Sequence, residues 1–227
     1  KLAEKAKKML EANKSLVIKG NPGEGKTTMA FHLIDNEKYR GRRVVVYCPS
    51  DWKTVDTDWV DIVLLEDIFG KFNLDFRCLQ EWMVSLPTIQ EHVDAGKLQV
   101  IITTRNDILS KTYSKLGSLK LFSHDLSLML SSEQLTYSEK RNILNKQLQI
   151  QTRNMNEYDK EKCIDKFCGL SGFPQCCWLF AADGNFFDRG PDFFKYPVEH
   201  LVSNITKLEA TRFLSLAFLF CNGMICE

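Results

Sequence analysis

With 227 residues, the chain is long enough to bury one full core and a smaller second unit. Hydrophobic residues at 44% and charged residues at 26% are ordinary for a globular protein and exclude a disordered or fibrous chain. The formal net charge of +1 provides no global basic field, so composition offers nothing for nucleic acid to bind.

The charge is nevertheless uneven. Residues 1–50 hold 11 Lys and Arg against 5 Asp and Glu, whereas residues 51–100 hold 4 against 10. Lys1 is not a start methionine, which fits a segment of a longer polypeptide. Leu2, Ala6, Met9 and Leu10 share one helical face, with Lys1, Lys5, Lys7 and Lys8 mostly off it. The small apolar face reads as a surface helix rather than a membrane-targeting one. Short apolar runs then alternate with helical patterns, which predicts a parallel sheet wrapped by helices. The expected strands are Leu16–Lys19, Val44–Tyr47, Ile62–Glu66, Val100–Thr103 and Asp125–Leu130. A helix with Met29, Ala30, Leu33 and Ile34 at core spacing follows the first. Two helical pieces, Leu74–Val84 and Thr88–Ala95, separate the third and fourth strands, with Pro87 placed to start the second piece and Gly96 to close it.

After Leu130 the pattern is helical only. Thr136 and Glu139 have capping-box spacing ahead of a helix through Ile143, Leu144 and Leu148. Further helices are expected over Asp159–Cys168, Gln175–Ala182, Val198–Leu208 and Glu209–Cys221, punctuated by Gly169, Gly172, Pro174, Gly184, Gly190, Pro191 and Pro197. The apolar run Phe213–Cys226 is too short to span a bilayer and reads as a buried helix. Cys163, Cys168, Cys176 and Cys177 lack paired C-x-x-C spacing and a nearby histidine, so they read as reduced, buried small hydrophobes rather than a zinc site.

Gly20-Asn21-Pro22-Gly23-Glu24-Gly25-Lys26-Thr27 matches G-x-x-x-x-G-K-[ST] in full, between an apolar strand and an apolar-faced helix. Phosphate oxygens need several donors converging on one point. Glycines let the backbone N–H groups wrap the anion, and the helix that follows adds its N-terminal dipole. Lys26 is then the side chain that reaches the β- and γ-phosphates, and the Thr27 hydroxyl is a Mg²⁺ ligand. The expected ligand is a purine nucleoside triphosphate bound with Mg²⁺, and no guanine-type N-K-x-D signature argues against adenine.

Ile62-Val63-Leu64-Leu65 leads into Glu66-Asp67. Beside a P-loop, one such carboxylate serves Mg²⁺ and its neighbour orients the attacking water; the plain alternative is that both solvate a strand end. Val100 to Thr104 leads into Arg105, which would face the γ-phosphate if the fourth strand lies between the first and third. A surface arginine is the alternative.

Together these segments resemble the STAND class of P-loop NTPases, relatives of the AAA+ ATPases, and within it the third novel STAND NTPase family, found in large multidomain animal proteins. The resemblance rests on Val17 to Thr28, Leu65-Glu66-Asp67-Ile68-Phe69-Gly70, Ile101-Ile102-Thr103-Thr104-Arg105 and Gly172-Phe173-Pro174-Gln175-Cys176-Cys177. It implies an α/β fold with a five-stranded parallel sheet in order 5-1-4-3-2, followed by a helical lid. The corresponding domains are residues 1–130 and 131–227. It implies that Asn21 to Thr28 cradle ATP or ADP, that Lys26, Glu66, Asp67 and Arg105 form the catalytic set, and that Thr27 and Glu66 hold Mg²⁺. Arg105 would sense the γ-phosphate, and Pro174 would pack against adenine and couple the lid to nucleotide state. Pro174 can equally be a simple helix start. The family usually carries two aspartates at the strand end, so Glu66 is a departure.

The function so implied is a slowly hydrolysing, cytoplasmic ATP switch within a larger signalling protein. Its partners would be flanking domains, with nucleotide-dependent self-association, and neither nucleic acid nor membrane. Two alternatives stand beside it. Glu66 leaves room for an ATP-binding scaffold without turnover. A nucleoside-kinase type of phosphotransferase fits less well, because Arg141, Arg153, Arg189 and Arg212 are scattered rather than gathered in a lid.

Overall fold

The computed structural model describes residues 2–35, 38, 41–169, 171–209 and 211–214. The chain divides into two compact units, the first ending at Gln134 and the second beginning at Leu135.

The first unit runs α1 (Leu2–Asn13), β1 (Ser15–Gly20), α2 (Lys26–Ile34), β2 (Arg43–Val46), α3 (Pro49–Trp52), β3 (Ile62–Leu65), α4 (Phe76–Asp94), β4 (Gln99–Arg105), α5 (Asn106–Leu116) and β5 (Ser127–Leu130). All strand pairs are parallel and the order is β2-β3-β4-β1-β5, the 5-1-4-3-2 arrangement that the resemblance implies. β1 therefore lies between β4 and β5, with Gly20 level with Arg105 on one side and Leu130 on the other.

Parallel crossovers place helices on both faces of such a sheet, so its central strands are apolar on both. Val17, Val63, Leu65, Val100 and Ile102 face Trp82, Leu86 and Ile89 of α4 and Ile108 and Leu109 of α5. The alternate residues Leu16, Ile18, Leu64, Ile101 and Leu128 face Ala6 and Leu10 of α1 and Ala30, Leu33 and Ile34 of α2. Each such aliphatic side chain contributes roughly 1.5–3 kcal/mol through burial. This two-sided core holds the β1 and β3 ends, where the polar residues emerge, in fixed register.

Two expectations are corrected here. The stretch between β3 and β4 forms one helix rather than two, and Pro87 lies inside α4 rather than at a start. The apolar stripe Leu79, Trp82, Leu86, Ile89 and Val93 keeps its 3–4 spacing past the proline, so packing against the sheet carries the helix through. Pro87 itself is exposed, where its missing N–H costs the helix one bond without burying a polar group. The helix α5, with Ile108, Leu109, Thr112 and Leu116 buried, is additional to the expected elements.

The second unit contains α6 (Tyr137–Ile150), α7 (Glu157–Asp165), α8 (Phe173–Ala182), α9 (Gly184–Phe187), α10 (Asp192–Lys195) and α11 (Pro197–Ile205). Thr136 caps α6 as its spacing predicts. The threonine hydroxyl accepts from the Glu139 N–H at 3.2 Å, and the Glu139 carboxylate accepts from the Thr136 N–H at 2.8 Å. Leu144 and Leu148 pack with Phe173, Phe180, Phe186, Phe193 and Phe194 in an aromatic core. Adjacent ring centroids there, such as Phe180–Phe194 at 5.1 Å, have the tilted geometry aromatic pairs favour.

Cys163, Cys176 and Cys177 are buried in that core as expected, whereas Cys168 is exposed. Burial pushes the Cys163 thiol up to about 12. No group of three or more metal-ligating His, Cys, Asp or Glu occurs among the described residues. No helix among them is long and apolar enough to cross a membrane. The helix expected over Glu209–Cys221 and the apolar run Phe213–Cys226 lie for the most part outside the described residues.

Candidate nucleotide-binding site

The β1 strand ends at Gly20, where an added Cβ would stand 2.6 Å from the Leu130 carbonyl oxygen, so the close approach of β5 requires glycine. The chain then turns through Gly23 (φ 79°) and Gly25 (φ 82°), both left-handed, and enters α2 at Lys26. No side chain caps the α2 N-terminus. Its first-turn N–H groups and the loop amides are therefore a ready set of anion donors. Asn21, Pro22 and Thr28 are exposed along this loop and helix start, while Glu24 is half-buried.

Lys26 is only 9% exposed and its Nζ donates to the Asn21 carbonyl at 3.1 Å, closing the loop on itself. Burial pushes the ammonium pKa down, against the pull of the nearby Asp67 carboxylate. The Thr27 hydroxyl donates to Glu66 Oε1 at 2.7 Å, across 39 residues of sequence. The two expected Mg²⁺ ligands are thus in direct contact. Asp67 follows in left-handed backbone (φ 45°), with its N–H donating to Thr103 Oγ1 at 3.1 Å. Its Oδ1 is buried and has no hydrogen-bond partner. Burial drives the Asp67 carboxyl pKa up, opposed by the Lys26 charge. A hard cation takes oxygen ligands of this kind, a hydroxyl and carboxylates beside phosphate, so the donor set fits Mg²⁺.

Arg105 closes β4. Its Nε donates to Asp107 Oδ1 at 3.0 Å and its Nη2 to Asp107 Oδ2 at 3.1 Å, a two-pronged ion pair. Its Nη1 donates to the Phe72 carbonyl at 2.7 Å, in the loop that follows Asp67. Burial alone would raise the Asp107 carboxyl, but the Arg105 bonds and charge outweigh it and hold it below the usual carboxylate range. On the other side of the P-loop, Glu24 accepts a short hydrogen bond from the Ser132 hydroxyl, just past β5. Its own pKa is raised by burial, with the Ser132 bonds opposing. A cleft of about 650 Å³ borders β5 and reaches Lys19, next to Gly20; Leu2, Lys5, Leu128 and Met129 are among its walls.

The first unit therefore gathers Lys26, Thr27, Glu66 and Asp67 by direct bonds and electrostatic contact, and Arg105 lies within electrostatic range of both Lys26 and Asp67. Pro174 belongs to the second unit, in the first turn of α8, and is partly buried there. Four participants escaped sequence reasoning: Thr103, Asp107, Ser132 and the Phe72 carbonyl. Thr103 could have been suspected as a hydroxyl closing an apolar strand, and Asp107 as a carboxylate two residues after a key arginine. Ser132 and Phe72 had no sequence signal, because their roles come from a long-range approach.

A family profile described as Novel STAND NTPase 3 matches residues 1–150. Domain III of the replication initiation protein DnaA from Thermotoga maritima has a similar fold, with a TM-score of 0.51 at 16% identity over 82% of this chain and 81% of that one. Hsp104 of S. cerevisiae, from its casein complex in the extended conformation, gives a TM-score of 0.57 at 12% identity over 82% of this chain but only 37% of that one. At these identities the likeness is one of fold. No curated protein matches the chain in sequence. The profile spans more than half of the 227 residues and covers every element of the parallel sheet, so the chain belongs to the novel STAND NTPase 3 family and is a nucleotide-binding P-loop NTPase module.

Proposed function

We propose that the chain is an ATP-operated switch that hydrolyses ATP slowly to ADP within a larger cytoplasmic signalling protein. The observation that carries this reading is the contact of Thr27 with Glu66, beside an Asp67 oxygen that is buried without a partner. In this reading the loop from Asn21 to Gly25 and the first turn of α2, including Thr28, wrap the phosphates, and Lys26 turns from the Asn21 carbonyl to the β- and γ-phosphate oxygens. Thr27 and Glu66 would hold Mg²⁺, which would supply charge neutralisation beside the phosphates. The free Asp67 oxygen orients the attacking water and takes its proton, a task suited to a carboxyl raised by burial. The apolar walls Leu2, Leu128 and Met129 of the neighbouring cleft suit a purine ring.

Arg105 is tied by Asp107 and Phe72, so it reads the γ-phosphate from a fixed position. The partners of such a switch are flanking domains of the same polypeptide, together with other copies of the chain in the ATP state.

Glu66, longer than aspartate by one methylene, favours a second reading, a scaffold that binds ATP without turnover. Identifying the nucleotide that co-purifies, followed by a multiple-turnover phosphate-release assay, separates the two. ADP in the purified protein with sustained phosphate release supports the switch. Bound ATP with no release over hours leaves the scaffold.

A further inference from the structure

The switch reading gives roles to residues that would meet nucleotide or metal directly, whereas Asp107 stands behind Arg105 and is bonded to it. We infer that Asp107 is a positioning residue that holds the Arg105 guanidinium ready for the third phosphate. The inference rests on the switch reading given above.

The geometry supports holding rather than mere pairing. Both Asp107 oxygens are used, one on Nε and one on Nη2, which fixes the plane of the guanidinium as well as its place. The Phe72 carbonyl takes a third N–H from Nη1, so the fork is gripped from two directions. Three of the five N–H donors are engaged by these bonds, and two are left to meet an anion. The Arg105 side chain is 22% exposed, and its charge is felt at both Lys26 and Asp67. Asp107 in turn sits in the first turn of α5, where the helix dipole favours its negative charge and Ser110 bonds its carbonyl. A long side chain that is already ordered does not have to be ordered when ATP arrives. Ordering such a side chain costs about 0.5–1.5 kcal/mol, or ~2- to 10-fold in affinity.

ATP and ADP affinities of the whole chain, measured by calorimetry with Mg²⁺, test this in a double-mutant cycle. Arg105→Ala should weaken ATP ~10- to 100-fold and leave ADP unchanged. Asp107→Ala should weaken ATP ~2- to 10-fold, again without changing ADP, and Asp107→Asn, which keeps one acceptor for the fork, should fall between. On the Arg105→Ala background, Asp107→Ala should change neither affinity. A loss of helix stability would lower both nucleotides together, so the ATP-to-ADP ratio separates positioning from a structural role. If Asp107→Ala leaves or raises ATP affinity while Arg105→Ala lowers it, Asp107 competes with phosphate or is idle, and the inference fails alone. If Arg105→Ala leaves the ratio unchanged, the reading of Arg105 as γ-phosphate sensor falls, and Asp107 with it.

Discussion

At the scale of single residues, the site is built from charges that the fold alone would not choose. Lys26 and Asp67 are both pushed toward their neutral forms by burial, and one Asp67 oxygen has no partner. Asp67 also occupies left-handed backbone, which asparagine tolerates well. Asp67→Asn should therefore act in opposite directions on stability and function. The nucleotide-free protein should gain stability at neutral pH, because the penalised charge is gone, while turnover falls ~10²–10⁴. Thermal melts and phosphate release on one preparation check both signs; a variant that loses stability and activity together contradicts the account. The pH dependence follows the same sign. A carboxyl with a raised folded pKa adds stability that is complete below its unfolded value, about 3.9, and is lost as pH rises through the folded pKa. Asp67→Asn should flatten that part of the wild-type profile. In the proposed reading Lys26 gives two charge-assisted bonds to phosphate, so Lys26→Ala should lower triphosphate affinity about 100-fold with the fold intact. Unchanged ATP affinity by calorimetry would remove the P-loop from the mechanism.

At the scale of elements, α4 is where local preference and packing disagree. Proline in a helix interior costs about 3 kcal/mol, yet the stripe from Leu79 to Val93 carries the helix through Pro87. Pro87 is exposed, so Pro87→Ala should restore the bond to the Met83 carbonyl and stabilise the protein by ~1–3 kcal/mol in denaturant titration. A loss of stability would mean that the proline bend is required by the packing of Trp82 and Leu86. This disagreement also explains what was legible in the sequence. The sheet was readable because buried parallel strands are continuous apolar runs, and β1, β3 and β4 are such runs. The α6 start was readable because the Thr136–Glu139 capping box is a local bond pair. α4 was misread because proline is a strong local signal, whereas the stripe that overrides it, Leu79 to Val93, spans about four turns. The candidate site divides the same way. Lys26, Thr27, Glu66 and Asp67 lie in contiguous motifs, whereas the bonds that brace Asp67, Glu24 and Arg105 (from Thr103, Ser132, and Asp107 with Phe72) mostly join segments that only the folded sheet brings together.

At the scale of the whole molecule, the proposed switch requires that a phosphate event in the first unit reach the second. Glu24 lies in the phosphate loop, and its carboxylate takes the hydroxyl of Ser132, two residues before the first unit ends at Gln134. Ser132 is almost fully buried, so this bond fixes the start of the connection into α6 to the loop between β1 and α2. A second unit shifts its population only if the two nucleotide states differ in what they do to this connection, because equal affinity shifts nothing. A γ-phosphate changes the charge facing the loop that carries Glu24, and the half-buried carboxylate, already raised by burial, is sensitive to it. Ser132→Ala should therefore keep ATP affinity within a few-fold, since no phosphate contact is lost, while it reduces any ATP-versus-ADP difference in hydrogen exchange across residues 137–208. Lys26→Ala abolishes the difference by loss of binding, and Arg105→Ala by loss of discrimination, so the serine variant is the one that separates binding from transmission. If Ser132→Ala leaves the exchange difference at its wild-type size, the signal does not pass through the Glu24–Ser132 bond. If wild type itself shows no difference, the chain is a static ATP-binding module and the switch reading fails.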